Sequence, residues 1–322
     1  MVGLFLARAG FKRATPGGTA VLVVAANAPD FDVVSWFWGR PTWLHWHRNI
    51  THSLVGAPVM ALLAVALVAL VGRQKLRWWQ AFLIALLGVA SHLILDLTNV
   101  YGVRLVLPFS GHWSHWDITP VVDYVIWAIL LLGVAAPALS RLVGSEIGDT
   151  RRDKGNAGWA ITALLLLGAY DYTRSVFHER ATNIMDSHIY NRLAPRRVGA
   201  FPTANPLVWR GMAELSNGYV DIPVDLRDGF HPGDALTYYK PPRTAAMQAA
   251  MATYPFQMLL EFVQYPLWVT EPALDTGGNS RVSLIDLRFG TPTQSGFAAT
   301  ALVDRNNRVL ESVFGMGEVR PR

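Results

Sequence analysis

The chain contains no cysteine. That excludes a disulfide framework, thiolate zinc sites, iron–sulfur clusters and a cysteine nucleophile, so any metal must be held by His, Asp or Glu. Charge is scarce as well: 16% of the 322 residues are charged against 52% hydrophobic, and the mean hydropathy is +0.25. An ordinary cytosolic globular enzyme is disfavoured. The net charge of +5 comes from scattered residues without a Lys/Arg block, so it argues for membrane orientation and against a nucleic-acid partner.

Long apolar runs are what the sequence does have. Ser53 to Gly72 carries no formal charge, and Trp79 to Leu97 carries one carboxylate near its end; both are long enough to cross a bilayer. Pro120 to Ser140 is apolar apart from Asp123 in its first turn, and Ala157 to Tyr170 is a shorter fourth segment that spans only if its flanks snorkel. Val2 to Ala9 and Thr19 to Ala28 read as a helical hairpin turning at Gly17-Gly18. Arg8, Lys12 and Arg13 follow the first apolar run instead of preceding it, which is not a signal-peptide pattern, so the anchor is expected to be retained.

From Asp171 the texture changes. Twelve of the nineteen prolines lie beyond it, and alternating segments read as strands. Leu207 to Glu214 and Gly218 to Asp225 form a hairpin around Ser216-Asn217; Arg281 to Phe289 and Phe297 to Asp304 form strands, with a turn at Asp304 to Arg308 and a helix over Arg243 to Phe262. The expected fold is an α-helical transmembrane bundle of about four or five helices over residues 1–171, then a soluble, strand-rich α+β domain over 172–322. His178, His188 and His231 in that second half share no ligand spacing and receive no chemistry.

Loop charge sets the topology. Arg8 to Arg13, Arg73 to Arg77 and Arg141 to Lys154 hold ten basic residues, whereas 31–52 and 98–119 hold only Arg40, Arg48 and Arg104, so the first set is expected to be cytoplasmic. Ten of the twelve tryptophans precede residue 172 and bracket the apolar runs as an interfacial belt does.

Within Ser91-His-Leu-Ile-Leu-Asp96, His92 and Asp96 stand four residues apart and project from one helix face. Such a pair either chelates a metal or is a buried hydrogen bond that tightens helix packing; alone it does not decide. His47 and His52 flank Thr51 at the start of the next apolar run, where Thr51 or Ser53 can cap the helix; taken singly, they read as histidines on a wet loop. Asp30 and Asp32 close the preceding segment, and Asp117 and Asp123 open the following one; singly these are turn and first-turn carboxylates. In an antiparallel bundle, however, Asp30, Asp32, His47, His52, His92, Asp96 and Asp123 reach one membrane face. Imidazole with carboxylate and no thiolate suits zinc, manganese or iron(II), as one ion or two, which would activate water for hydrolysis while Arg48 clamps an anionic group.

The motifs Pro-Asp-Phe-Asp at 29–32, His-Arg-Asn-Ile-Thr-His-Ser at 47–53, Ser-His-Leu-Ile-Leu-Asp at 91–96 and Asn-Val-Tyr-Gly-Val-Arg-Leu-Val-Leu-Pro-Phe-Ser at 99–110 resemble those of the YdjM- or YfhP-like membrane-bound, metal-dependent hydrolases, over about residues 1–135. The resemblance implies metal-site roles for His47, His52, His92 and Asp96, with Asp30, Asp32 and Asp123 as further candidates. It implies a reaction class without a substrate. A more distant similarity to the all-helical zinc fold of bacterial phospholipase C and P1-type nuclease favours a phosphodiester in a lipid-like substrate. Family members carry a Thr-His pair shortly before a stretch like Val2 to Gly10, so a start codon assigned too late is expected here; an incomplete site is the alternative.

Two function classes follow. The first is an integral membrane metallohydrolase with Asp30 or Asp32 as bridging ligand or general base. The second is a non-catalytic membrane protein whose metal serves structure or sensing while the soluble domain recruits a partner. An open coordination position separates them. Transport is disfavoured because the polar residues sit at helix ends and not at a midplane break.

Overall fold

The structure is a computed structural model and describes the chain except residues 74, 147–154, 230, 274–277 and 317–322. Two compact units divide it. One comprises Met1–Asp32, Arg48–Arg180 and Pro202–Val208; the other comprises Val33–His47, Ala181–Phe201 and Trp209–Arg322.

The first unit is helical. α1 (Val2–Ala9) and α2 (Gly18–Ala25) form the expected hairpin, which turns through a 3-10 segment at Phe11–Ala14 and a left-handed Gly17 at φ 72°. Gly3 lets the two helices approach until a Cβ there would collide with the Leu22 carbonyl. α4 (Gly56–Gly72) and α5 (Trp78–Thr98) complete one core with them. Their contact faces are built from small residues such as Ala57, Ala61, Ala64, Ala81, Ala85 and Gly88, which allow close backbone approach. The outward face of α4 is not polar: Leu62, Leu63, Leu70 and Val71 are exposed. A helix that is apolar on both its packed and its open face suits a lipid surround and not water.

Among the described residues, one helix, α5, is by itself long and apolar enough to cross a membrane; the count rises to three if each of two bent pairs forms one span. The pairs are Gly18–Ala25 with Pro29–Trp38 and Arg40–His52 with Gly56–Gly72. The expected span from Ser53 therefore starts at Gly56. Ser53 Oγ accepts the Gly56 N–H at 2.9 Å, which satisfies the first of the N–H groups that a helix start leaves unpaired. The expected Pro120 start likewise moves to α6 (Tyr124–Glu146), because Asp123 Oδ1 accepts the N–H groups of Val125 and Ile126. α7 (Gly155–Asp186) is 32 residues long, far beyond the fourteen expected, and carries the chain past Asp171 without a break. Arg151, Arg152 and Lys154, counted in the cytoplasmic set, lie outside the described residues.

The second unit holds α3 (Arg40–Trp46), α8 (Ala245–Met251), α9 (Tyr254–Phe262) and most of two four-stranded antiparallel sheets, each running in chain order. The first sheet contains β1 (Arg197–Pro202), β2 (Val208–Glu214), β3 (Gly218–Asp225) and β4 (Leu236–Tyr239); the second contains β5 (Pro266–Pro272), β6 (Ser280–Asp286), β7 (Phe297–Val303) and β8 (Val309–Met316). The hairpins at Ser216-Asn217 and Asp304 to Arg308 are present, the latter with Asn307 at φ 60°. Strand β6 stops at Asp286 and not Phe289, since the Asp286 carboxylate accepts the Arg288 N–H and opens a 3-10 turn. The single helix expected over Arg243 to Phe262 is two helices, because Pro255 belongs at a helix start and cannot continue the preceding turns.

By sequence, residues 33–47 fall in the expected membrane half, 1–171. Instead α3 packs on α9 within the strand-rich unit, where Thr42 Oγ1 meets Tyr254 Oη at 3.2 Å and His45 Nδ1 meets Glu261 Oε2 at 3.0 Å.

Candidate metal centre

His92 and Asp96 leave the last turns of α5 on one face, their Nε2 and Oδ2 atoms 3.3 Å apart. Across from them, His52 ends a short 3-10 turn (Ile50–His52), and its Nε2 lies 3.3 Å from the same Asp96 Oδ2. Asp30, in the 3-10 segment after α2, places Oδ1 3.4 Å from His92 Nε2 and 3.6 Å from His52 Nε2. Asp30, His52 and His92 thus each offer a ligand atom within 4.8 Å of one another. Asp96 approaches both imidazoles but stands outside that closest trio.

These separations fit a shared ion. Two ligands bonded to one zinc-sized ion at ~2.0–2.2 Å sit about 3–3.5 Å apart, close to the spacings seen. His92 Nε2 and Asp96 Oδ2 are buried and lie 3.3 Å apart without a well-formed hydrogen bond among the described residues, a costly state for polar atoms that a bound cation would relieve. Three carboxylates, Asp30, Asp32 and Asp96, stand around the two imidazoles, and the Arg48 guanidinium pairs with Asp96, so negative charge is left for a divalent cation to neutralise.

A surrounding shell fixes the donors. His92 Nδ1 lies 2.8 Å from the Ala26 carbonyl, so it donates there and Nε2 is the nitrogen turned toward Asp30 and Asp96. His52 Nδ1 lies 3.3 Å from Asp32 Oδ2, the carboxylate–imidazole arrangement that raises ligand basicity. Asp32 Oδ2 also accepts the Arg48 N–H at 2.8 Å and the Thr51 hydroxyl at 3.2 Å. Arg48 Nη2 donates to Asp96 Oδ1 at 2.7 Å, and Nη1 donates to Asn99 Oδ1 and the Gly102 carbonyl. The guanidinium also lies 4.9 Å over the Tyr101 ring. Arg48 is therefore committed to protein groups and positions Asp96; it is not presented as a clamp for a substrate anion. Asp32 is likewise occupied, as a positioning residue.

Two expected ligands are not in the donor group. His47 belongs to the other unit and stacks on Trp43, ring centroids 4.6 Å apart; the next residue, Arg48, takes a left-handed φ of 56° that turns the chain before Thr51. Asp123 caps α6 and accepts the Tyr170 hydroxyl at 2.8 Å. Asp117 Oδ2 lies 2.8 Å from His115 Nδ1. Thr51 and Asn99 both sit inside the motifs, but their hydrogen bonds to Asp32 and Arg48 follow from backbone turns that spacing does not reveal, so the pattern predicts a helix cap for Thr51 and no role for Asn99.

The family model for the YdjM inner membrane protein matches residues 1–180, the part of the chain that carries all of these donors. The chain belongs to the YdjM inner membrane protein family. It is also 22% identical over 305 residues to the uncharacterized protein YfhP of Bacillus subtilis (strain 168), covering 91% of this chain and 84% of that protein. No solved structure matches. The apolar outer surface of α4 and the bilayer-length α5 accord with membership of a membrane protein family.

Proposed function

We propose that this YdjM-family protein is an integral membrane metal-dependent hydrolase acting on an ester, with a phosphodiester in a lipid-like substrate as the preferred class. The observation that carries the reading is the meeting of Asp30, His52, His92 and Asp96 from three separate stretches of chain. The Asp30 side chain is about half exposed (51%), whereas His52 is 0% exposed, so the donor group has one wet side where water and substrate can enter. A divalent ion there, zinc first with manganese or iron as alternatives and one or two ions in number, would supply Lewis acidity and acidify water.

The protein groups then divide the work. His52, His92, Asp96 and Asp30 would hold the ion; Asp32, Thr51 and the Ala26 carbonyl orient the imidazoles; Arg48, itself held by Asn99, fixes Asp96. Asp30, the accessible carboxylate, takes a proton from the attacking water through its second oxygen and returns it to the departing alcohol as the phosphorus–oxygen bond breaks. The preference for a phosphodiester rests on the distant likeness to zinc phospholipases.

The proposed topology has four or five spans: α4, α5, α6 and the apolar first part of α7, with α2 as the fifth. It puts Arg73 and Arg77 in the cytoplasm, and the donor group and the strand-rich unit outside it, in a bacterial-type inner membrane. A second reading, a structural or sensing metal site with a partner-binding domain, is favoured by the number of protein donors, since four suffice to close a tetrahedral site.

The test is metal analysis of the purified full chain beside a screen of phosphodiester and lipid substrates, with His92→Ala and Asp96→Ala as controls. Loss of both metal and hydrolysis is expected with membrane insertion intact. Metal binding without hydrolysis of any ester would favour the second reading. Full metal content and activity in both variants would overturn the site itself.

A further inference from the structure

The strand-rich unit holds a cavity of about 490 Å³, open on one side, between the β3–β4 region and helices α8 and α9. Its lining combines two chemistries. Among the lining residues Lys240 Nζ donates to Glu214 Oε1 at 2.7 Å, and Arg197, which is not itself in the lining, holds Glu214 Oε2 through Nη2 at 2.9 Å, so a single carboxylate is shared by two cations. Arg243 also lines the cavity, exposed and forming no ion pair among the described residues. Met247, Met251, Leu260 and Trp268 give the same cavity an apolar lining. Trp268 is locked by stacking on Phe256, centroids 5.6 Å apart, whereas the two thioethers can adapt to an irregular apolar guest.

We propose that this cavity binds a single-chain anionic amphiphile, its carboxylate or phosphate head between Lys240 and Arg243 and its hydrocarbon chain along Met247, Met251 and Trp268. Charge complementarity selects an anion, because two cations around Glu214 and the unpaired Arg243 leave surplus positive charge. The apolar wall selects a tail, and the volume lies in the lower half of the usual range for small-molecule sites, about 300–1,000 Å³, which suits one chain better than two. A membrane protein is surrounded by molecules of this class. The inference is independent of the hydrolase reading, since every residue it uses lies in the other compact unit.

Photocrosslinking tests it. The full chain is placed in nanodiscs of zwitterionic lipid and exposed to a long-chain fatty acid carrying a diazirine in its tail, with the corresponding alcohol as a neutral control and lysophosphatidate as competitor. Labelled peptides are mapped by mass spectrometry. Expected are saturable labelling within residues 245–268, little labelling by the alcohol, and a loss of labelling on the order of tenfold in Arg243→Glu. Protection by lysophosphatidate would show that a phosphate head is accepted; its absence would narrow the ligand to a carboxylate. Both outcomes support the amphiphile site. Arg243 is exposed, so its variant should fold; Met251→Asp, which puts a charge on the apolar wall, gives a second reading. Labelling confined to α4 and α5, equal labelling by the alcohol, or labelling unchanged in both variants would overturn the proposal.

Discussion

Arg48 Nη2 donates to Asp96 Oδ1 at 2.7 Å, with both side chains only 12% exposed, and this bond leaves Asp96 Oδ2 aimed at both His52 and His92. An aspartate on a helix can turn either oxygen toward a ligand. Here the choice is made by an arginine 48 residues earlier, itself held by Asn99 and the Gly102 carbonyl.

Arg48→Met is therefore expected to weaken metal binding about 10- to 100-fold, the usual effect of losing a group that orients a ligand. Titration of metal-free protein with zinc, read by calorimetry or a competing chelator, checks it. An unchanged affinity would remove Asp96 from the ligand set.

His47→Ala and Asp123→Ala should both retain their metal. The Asp123 variant loses the α6 cap and should lose roughly 1 kcal/mol of stability, read as a lower Tm in detergent. The His47 variant loses a stack on Trp43. His52→Ala, by contrast, should lose metal. Depletion of metal in the His47 variant would show that the donor group extends into the other unit.

The absence of cysteine makes the topology directly testable. Ser216→Cys, in the exposed turn between β2 and β3, should react with a membrane-impermeant maleimide in intact spheroplasts, while Arg73→Cys should react only after lysis. A protected residue 216 would move the strand-rich unit to the cytoplasm, and with it the donor group, because residues 33–47 of that unit join Asp32 directly to Arg48.

Glu214 gives the strand-rich unit a pH-dependent contribution. Burial raises its pKa, but the hydrogen bond and charge of Lys240 and the charge of Arg197 outweigh that and hold it below the ordinary glutamate value of about 4.3. A lowered folded pKa means stability that is fully present above the unfolded pKa and lost as pH falls through the folded one. Glu214→Gln should accordingly lower Tm at pH 7 and make progressively less difference as the pH drops below about 4. A Tm difference that stays constant across that range would show that ionisation of Glu214 contributes nothing.

The sequence by itself determined the things that depend on local pattern. Unbroken apolar length marks the α4 and α5 runs, the four-residue step puts His92 and Asp96 on one face, and alternation with turn residues marks the hairpins of both sheets. The break at Pro255 was also legible in principle, because a proline inside a helical run signals a new start. What tertiary structure alone decided is which residues of the His47 to His52 stretch share the site. Those two histidines are equivalent in spacing, yet the left-handed turn at Arg48 and the docking of α3 on α9 assign them to different units. Likewise Asp32, Asp123 and Arg48 are chemically fit for a metal or a substrate, and only their hydrogen-bond partners reveal that they orient, cap and hold. The physical reason is that helix and strand periodicity act over a few residues of chain, whereas a ligand sphere is assembled from groups whose separation depends on how whole elements pack.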